Sequence, residues 1–178
     1  MDGLGAGEFA LVALVFRVAI GITFASHGWA KRFSGGGLSG TAGWFDSIGM
    51  KPGTFHATTA STMEMATGVA LALGFLTPFA GAGIVAIMIV AGWTVHRTNG
   101  FAIVGDGWEY TFVVAITAVA IAGFGPGDYS IDHAIGIADG LNGTTGWLIA
   151  GGLGIVAGIG HLTTFYRPNP PQPAEADI

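Results

Sequence analysis

The chain has no cysteine. That excludes disulfides, thiolate catalysis, iron–sulfur ligation and covalent attachment of a c-type haem. Charge is nearly as scarce, at 10% of 178 residues. A soluble domain carries about 25%, and so few charges cannot cover a water-facing surface of this size. Lys and Arg number only six and the formal net charge is -5. There is no basic stripe, which argues against a nucleic-acid partner. A positively charged start is missing too. The N-terminus reads M-D-G-L-G-A-G-E, so a cleaved signal peptide is not expected and the first helix should stay.

What fills the space is apolar. Hydrophobic residues make up 51% of the chain and the mean hydropathy is +0.64. The 32 glycines lie largely inside apolar runs, which suits close-packed membrane helices rather than disorder. Apolar runs fall at Phe9–Ala30, Ala57–Leu76, Phe79–Val95, Tyr110–Phe124 and Trp147–Phe165. The first two are long enough for a hydrocarbon core of about 30 Å. The third and fourth need a flanking turn. Five spans are expected, with a tight hairpin at Thr77-Pro78 between the second and third, because Pro fits the first turn of a helix.

Two connections are longer. Residues 33–55 contain Gly35-Gly36-Gly37 and then Trp44, Phe45, Ile48 and Met50, suited to headgroup depth. Between spans four and five, Ile131, Ile135, Ala138 and Leu141 recur at helical spacing. That predicts a surface amphipathic helix over 130–141, started by Asp128 or Ser130. The segment 167–178 is Pro-rich and reads as an extended cytoplasmic tail.

Basic residues orient the bundle. Lys31, Arg32, Lys51, Arg97 and Arg167 all fall on one side of a five-span topology, and no Lys or Arg falls in the loops of the other. The positive-inside rule then puts the N-terminus outside and the C-terminus in the cytoplasm.

Two features carry candidate chemistry. Arg17 sits inside span one and Glu64 inside span two. Their depths from the basic side are about 20 Å and about 10 Å. A buried unpaired charge in lipid costs at least about 2.5 kcal/mol, so an Arg17–Glu64 ion pair is expected. A structural bridge and a ligand or proton site both explain such a pair. The second feature is a cluster. His27 and Lys31 end span one, His56 precedes span two, His96 and Arg97 end span three, and Trp108, Glu109 and Tyr110 open span four, all on the basic side. A pocket from His27, Lys31, His96, Glu109 and Tyr110 would suit a quinone carbonyl or a lipid phosphate. Interfacial packing alone explains the same residues. No tight ligand spacing supports a metal among His27, His56, His96 and Glu109. His133 and His161 have no evident partner. Ala150, Gly154 and Gly158 recur every four residues in span five and predict close helix packing against a neighbour the sequence does not specify.

Several stretches together resemble the DoxX family of small bacterial and archaeal membrane proteins. They are R-V-A-I-G-I-T-F-A-S-H-G-W-A-K, W-F-D-S-I-G-M-K-P, M-E-M-A-T-G-V-A-L-A-L-G-F-L-T-P, V-H-R-T-N-G-F, W-E-Y and G-P-G-D-Y-S-I-D-H, in that order over about residues 9–135. Family members are similar to the small membrane subunit of a thiosulfate:quinone oxidoreductase, and most are four-helix proteins without an assigned reaction. The resemblance implies an all-α polytopic transmembrane bundle with a four-helix core over 1–135; the apolar run at 147–166 departs from that pattern as an added fifth transmembrane helix. It implies a redox-associated subunit of the bacterial plasma membrane near the quinone pool, with quinone as the candidate cofactor and no catalytic residue assigned. Other membrane subunits of a redox or respiratory complex and lipids are the partners it implies. It points to Arg17, His27, Lys31, Glu64, His96 and Glu109. The expected role is accessory. A quinone-binding oxidoreductase subunit and a small transporter are the alternatives.

Overall fold

The computed structural model describes residues 5–168, all helix and connecting loop apart from one isolated β-bridge. The Pro-rich tail expected at 167–178 lies almost wholly outside the described residues. Helix α1 runs Ala6–Phe33, α2 Gly37–Ser47, α3 Gly53–Leu73, α4 Thr77–Ala91 and α5 Glu109–Phe124. Short helices α6 (Ile131–Ala134), α7 (Ala138–Leu141) and α8 (Gly143–Trp147) lead into α9 (Gly154–Phe165). Two helices carry π-helical turns. Gly92–His96 prolongs α4, and Leu148–Leu153 joins α8 to α9.

Three continuous rods are long and apolar enough to cross a membrane: Ala6–Phe33, Thr77–Asn99 and Gly143–Phe165. Helix α5 is apolar but shorter. Helix α3 has 21 residues, but it carries a polar series that includes Thr58, Thr59, Ser61, Thr62, Glu64 and Thr67.

Glycine sets the register between α1 and α3. A methyl group on Gly21 would run into the Gly68 carbonyl, and one on Gly68 would meet the Gly21 carbonyl. Gly28 lies as close to the Ser61 carbonyl. Small residues let the two backbones approach closely, so dispersion contacts run along the seam. This seam places Gly28 beside Ser61 and Glu64, and Arg17 beside Ala72. The Ala150–Gly154–Gly158 series packs within the chain, on α4: Gly154 meets Val85 and the Ala82 carbonyl, and Gly158 meets Ile89 and the Ala86 carbonyl. Helix α4 is therefore the centre of the bundle. Phe24, Leu71, Ile84, Met88, Val114 and Ile121 form its main core.

The α3–α4 hairpin closes as expected. Phe75 N–H donates to the Ala70 carbonyl and Gly74 N–H to the Leu71 carbonyl, with Gly74 at φ 63°. This Schellman closure satisfies the last carbonyls of α3. Pro78 lies in the first turn of α4.

The surface helix expected over 130–141 is instead two short helices, broken between Ala134 and Ala138. Gly136, at φ 76°, ends α6 in a Schellman closure, with Gly136 N–H donating to the His133 carbonyl and Ile137 N–H to the Asp132 carbonyl. The Asp132 side chain is 1% exposed and turns back to the hairpin. It accepts from Leu76 N–H (2.7 Å), Thr77 N–H (2.9 Å) and Thr77 Oγ1–H (2.7 Å). A carboxylate satisfying free N–H groups at the start of α4 also complements the helix dipole. Ser130 caps α6 by accepting from His133 N–H.

Candidate functional site

A cavity of about 850 Å³ lies toward the end of the bundle that carries Lys31, Arg32, Lys51, Arg97 and Arg167. Helices α1 to α5 and α9 all contribute to its walls. The volume falls within the range of about 300–1,000 Å³ usual for small-molecule sites. Phe24, Met50, Met63, Phe79, Ile87 and Val90 make most of the wall apolar. Polar groups are few and placed at particular points.

The first polar point is an ion pair. Lys31 Nζ lies 2.8 Å from both carboxylate oxygens of Glu64. Glu64 is 4% exposed, while a quarter of the Lys31 side chain remains open. The α1–α3 register explains the match. Gly28 packs directly on Glu64, and Lys31 stands one turn further along the same helix. Thr41 of α2 donates to the Lys31 carbonyl (2.9 Å), which holds α2 against the end of α1.

This arrangement corrects the expected Arg17–Glu64 pair. Eleven residues separate Arg17 from Gly28, about 16 Å of helix rise, and an arginine side chain cannot span that gap. Arg17, wholly buried, donates instead to the Ala72 carbonyl (3.0 Å) and the Tyr129 carbonyl (2.6 Å). Asp132 is the carboxylate within its electrostatic reach. Its Nε has no hydrogen-bond partner among the described residues. Arg17 thus ties α1 to α3 and to the segment before α6, away from the cavity.

Beside the ion pair, Tyr110 Oη lies 3.4 Å from His27 Nε2. Both line the cavity, with exposed His27 at its rim. Glu64 lies within electrostatic reach of both. His96, on the π-helical turn of α4, also lines the cavity, and its Nδ1 lies 2.7 Å from the Asp106 carbonyl. Four of the five residues expected at a pocket therefore meet here. The fifth, Glu109, turns to the α4–α5 loop. Its carboxylate accepts from Ile103 N–H at 2.8 Å, so its role is to hold that loop.

A second polar point was not legible in the sequence. His161 Nε2 lies 3.2 Å from His56 Nδ1, joining α9 to α3. Both rings line the cavity, and Phe165 packs on both. Phe55 packs on His56 and Phe165. The end of α9 is pinned nearby. Met50 and Tyr166 form an isolated bridge, and Arg167 N–H donates to the Gly49 carbonyl at 2.7 Å. The only available hint was that both histidines fall at the basic ends of their spans.

Chemically, the cavity offers donors to a ligand oxygen at Lys31, Tyr110 and the histidines, with Glu64 as acceptor. Its walls suit an apolar ring or chain.

Long apolar rods define a multi-pass helical membrane protein with a largely apolar cavity inside the bundle. The chain carries a DoxX family domain over residues 12–97. The matched stretch includes α2, α3, α4 and most of α1, and it ends before Glu109, Tyr110 and the C-terminal rod. No curated protein and no solved structure matches the chain.

Proposed function

We propose that this membrane protein is a subunit of a quinone-linked redox complex that holds a quinone ring in the basic-end cavity, without turnover of its own. The observation supporting this reading is the meeting of His27, Lys31, Glu64, His96 and Tyr110 on one cavity of about 850 Å³. Lys31, Tyr110 and the histidines are donors suited to a carbonyl oxygen, Glu64 holds Lys31 in place, and the remaining wall suits an isoprenoid chain. In this reading α3 and α5 also cross the bilayer, giving five spans with the N-terminus outside and the C-terminus in the cytoplasm. The distribution of basic residues supports that orientation. The cavity then opens toward the cytoplasmic leaflet of the bacterial plasma membrane.

The test is direct. The full chain is purified in mild detergent and its bound lipids are extracted and resolved by chromatography. Quinone should accompany the wild type and be depleted in Lys31→Met and Tyr110→Phe. Wild-type protein that neither retains nor rebinds quinone would sink the reading.

A purely accessory role without a ligand is the second reading. The open outer face of the C-terminal rod favours it, because Gly152 and Gly160 have nothing close to them. That face would admit a neighbouring membrane subunit. Here a tagged chain should bring down larger subunits in fixed ratio, with or without quinone.

A further inference from the structure

The cavity has two separate polar points, and only one is built by the matched domain together with α5. The other, His56–His161, depends on a helix beyond it. His56 and Glu64 both line the cavity from α3 and are eight residues apart, about 12 Å of rise. A six-membered ring with oxygens at opposite ends, plus a hydrogen bond of about 2.8 Å at each, spans a comparable length.

The histidine pair is built rather than incidental. His56 is 2% exposed. His161 uses Nε2 toward His56 and keeps Nδ1 for another partner. One of two hydrogen-bonded neutral imidazoles must donate and the other accept. A ligand carbonyl at His161 Nδ1 selects the tautomer in which His161 donates there and accepts from His56. His56 is then a positioning residue for His161. Gly154 and Gly158 bring the helix onto α4 closely enough for Leu153, Ala157 and His161 to form cavity wall.

We infer that the C-terminal helix completes the ligand site, with His161 as its second hydrogen-bonding pole, so that the ligand is a ring bearing oxygen acceptors at opposite ends. This rests on the quinone reading and adds to it which part of the chain reads the far oxygen. It also makes the C-terminal rod part of the binding site rather than only a docking element.

The test compares two probes on the full chain in detergent. One is a decyl-substituted 1,4-benzoquinone. The other is the matching cyclohexenone, which has a single carbonyl. Affinity is read by equilibrium dialysis. One hydrogen bond is worth up to about tenfold, so wild type should prefer the two-carbonyl ring by about that factor. His161→Phe keeps an aromatic ring against Phe165 but removes the donor. It should bring the two affinities together by weakening the benzoquinone only. His161→Gln, which can still donate, should restore part of the preference. An unchanged preference in His161→Phe overturns the inference, as does an equal loss for both probes. If wild type binds neither probe, the quinone reading falls and takes the inference with it. If it binds both equally, only the second pole falls.

Discussion

Buried charges lie at opposite ends of the bundle, and the two ends handle them in opposite ways. Arg17 at the acidic end is surrounded by backbone. It spends its terminal nitrogens on the Ala72 and Tyr129 carbonyls, while Asp132 spends both carboxylate oxygens on the start of α4. Neither residue lines the cavity. Glu64 at the basic end has one partner, Lys31, and both face a cavity. The first arrangement consumes its polar capacity in holding elements together. The second keeps donors and an acceptor beside a space that a ligand can enter. Charge inside a membrane bundle therefore marks a site only where a cavity adjoins it.

That contrast can be broken most forcefully at the acidic end. Asp132→Ala removes three hydrogen bonds from the start of α4 and a carboxylate within electrostatic reach of Arg17. We expect a loss of about 3 kcal/mol or more, measured as a lower unfolding midpoint in detergent. Folded protein should keep its quinone affinity. A large affinity loss with intact stability would reverse the roles assigned to the two ends.

Next in size is the seam that sets the register. Gly68→Leu forces side-chain atoms against the Gly21 carbonyl and Ala25. Overpacking of this kind costs about 1–3 kcal/mol. It should also separate Lys31 from Glu64, so stability and quinone binding fall together. A cysteine pair introduced at positions 31 and 64 would report the separation through a lowered cross-linking yield.

At the basic end the order of effects inverts. Glu64→Gln should cost only about 1 kcal/mol of stability, because Lys31 is partly open and can turn to water. Quinone affinity should fall by up to about tenfold, because Lys31, no longer held by the carboxylate, loses its charge-assisted contact with the ring oxygen. Equal binding by wild type and Glu64→Gln would leave the ion pair as a structural bridge, like the acidic end.

The smallest effect belongs to Glu109, which lies outside the cavity wall. Glu109→Gln weakens one bond to Ile103 N–H. It should change stability by less than about 1 kcal/mol and leave binding unchanged. A binding defect in this variant would extend the site to the α4–α5 loop.

Part of this was legible before any coordinates. The basic-end cluster was visible because His27, Lys31, His56, His96 and Tyr110 all stand at span ends on one side of an alternating topology. Pairing was not visible. Arg17 and Glu64 were the two charges deepest in their runs, and the cost of burying charge made them the natural pair. Glycine contacts slide α1 along α3 to a different register, and Lys31 takes the carboxylate. Asp132 falls in the segment whose spacing predicts a surface helix. Its real partners, Leu76 and Thr77, lie more than fifty residues earlier in the chain.

The sequence by itself determined the solvent. With 10% charged residues and long apolar runs, this chain belongs in a bilayer. It also determined the close contacts, since glycines at 21, 28, 68, 154 and 158 admit backbones that larger residues would exclude. Only the tertiary structure decided which charges meet, that α9 packs on α4, and that His161 reaches His56. The physical reason is that hydropathy is a property of each run alone. Register and pairing depend on where backbones from distant runs can touch.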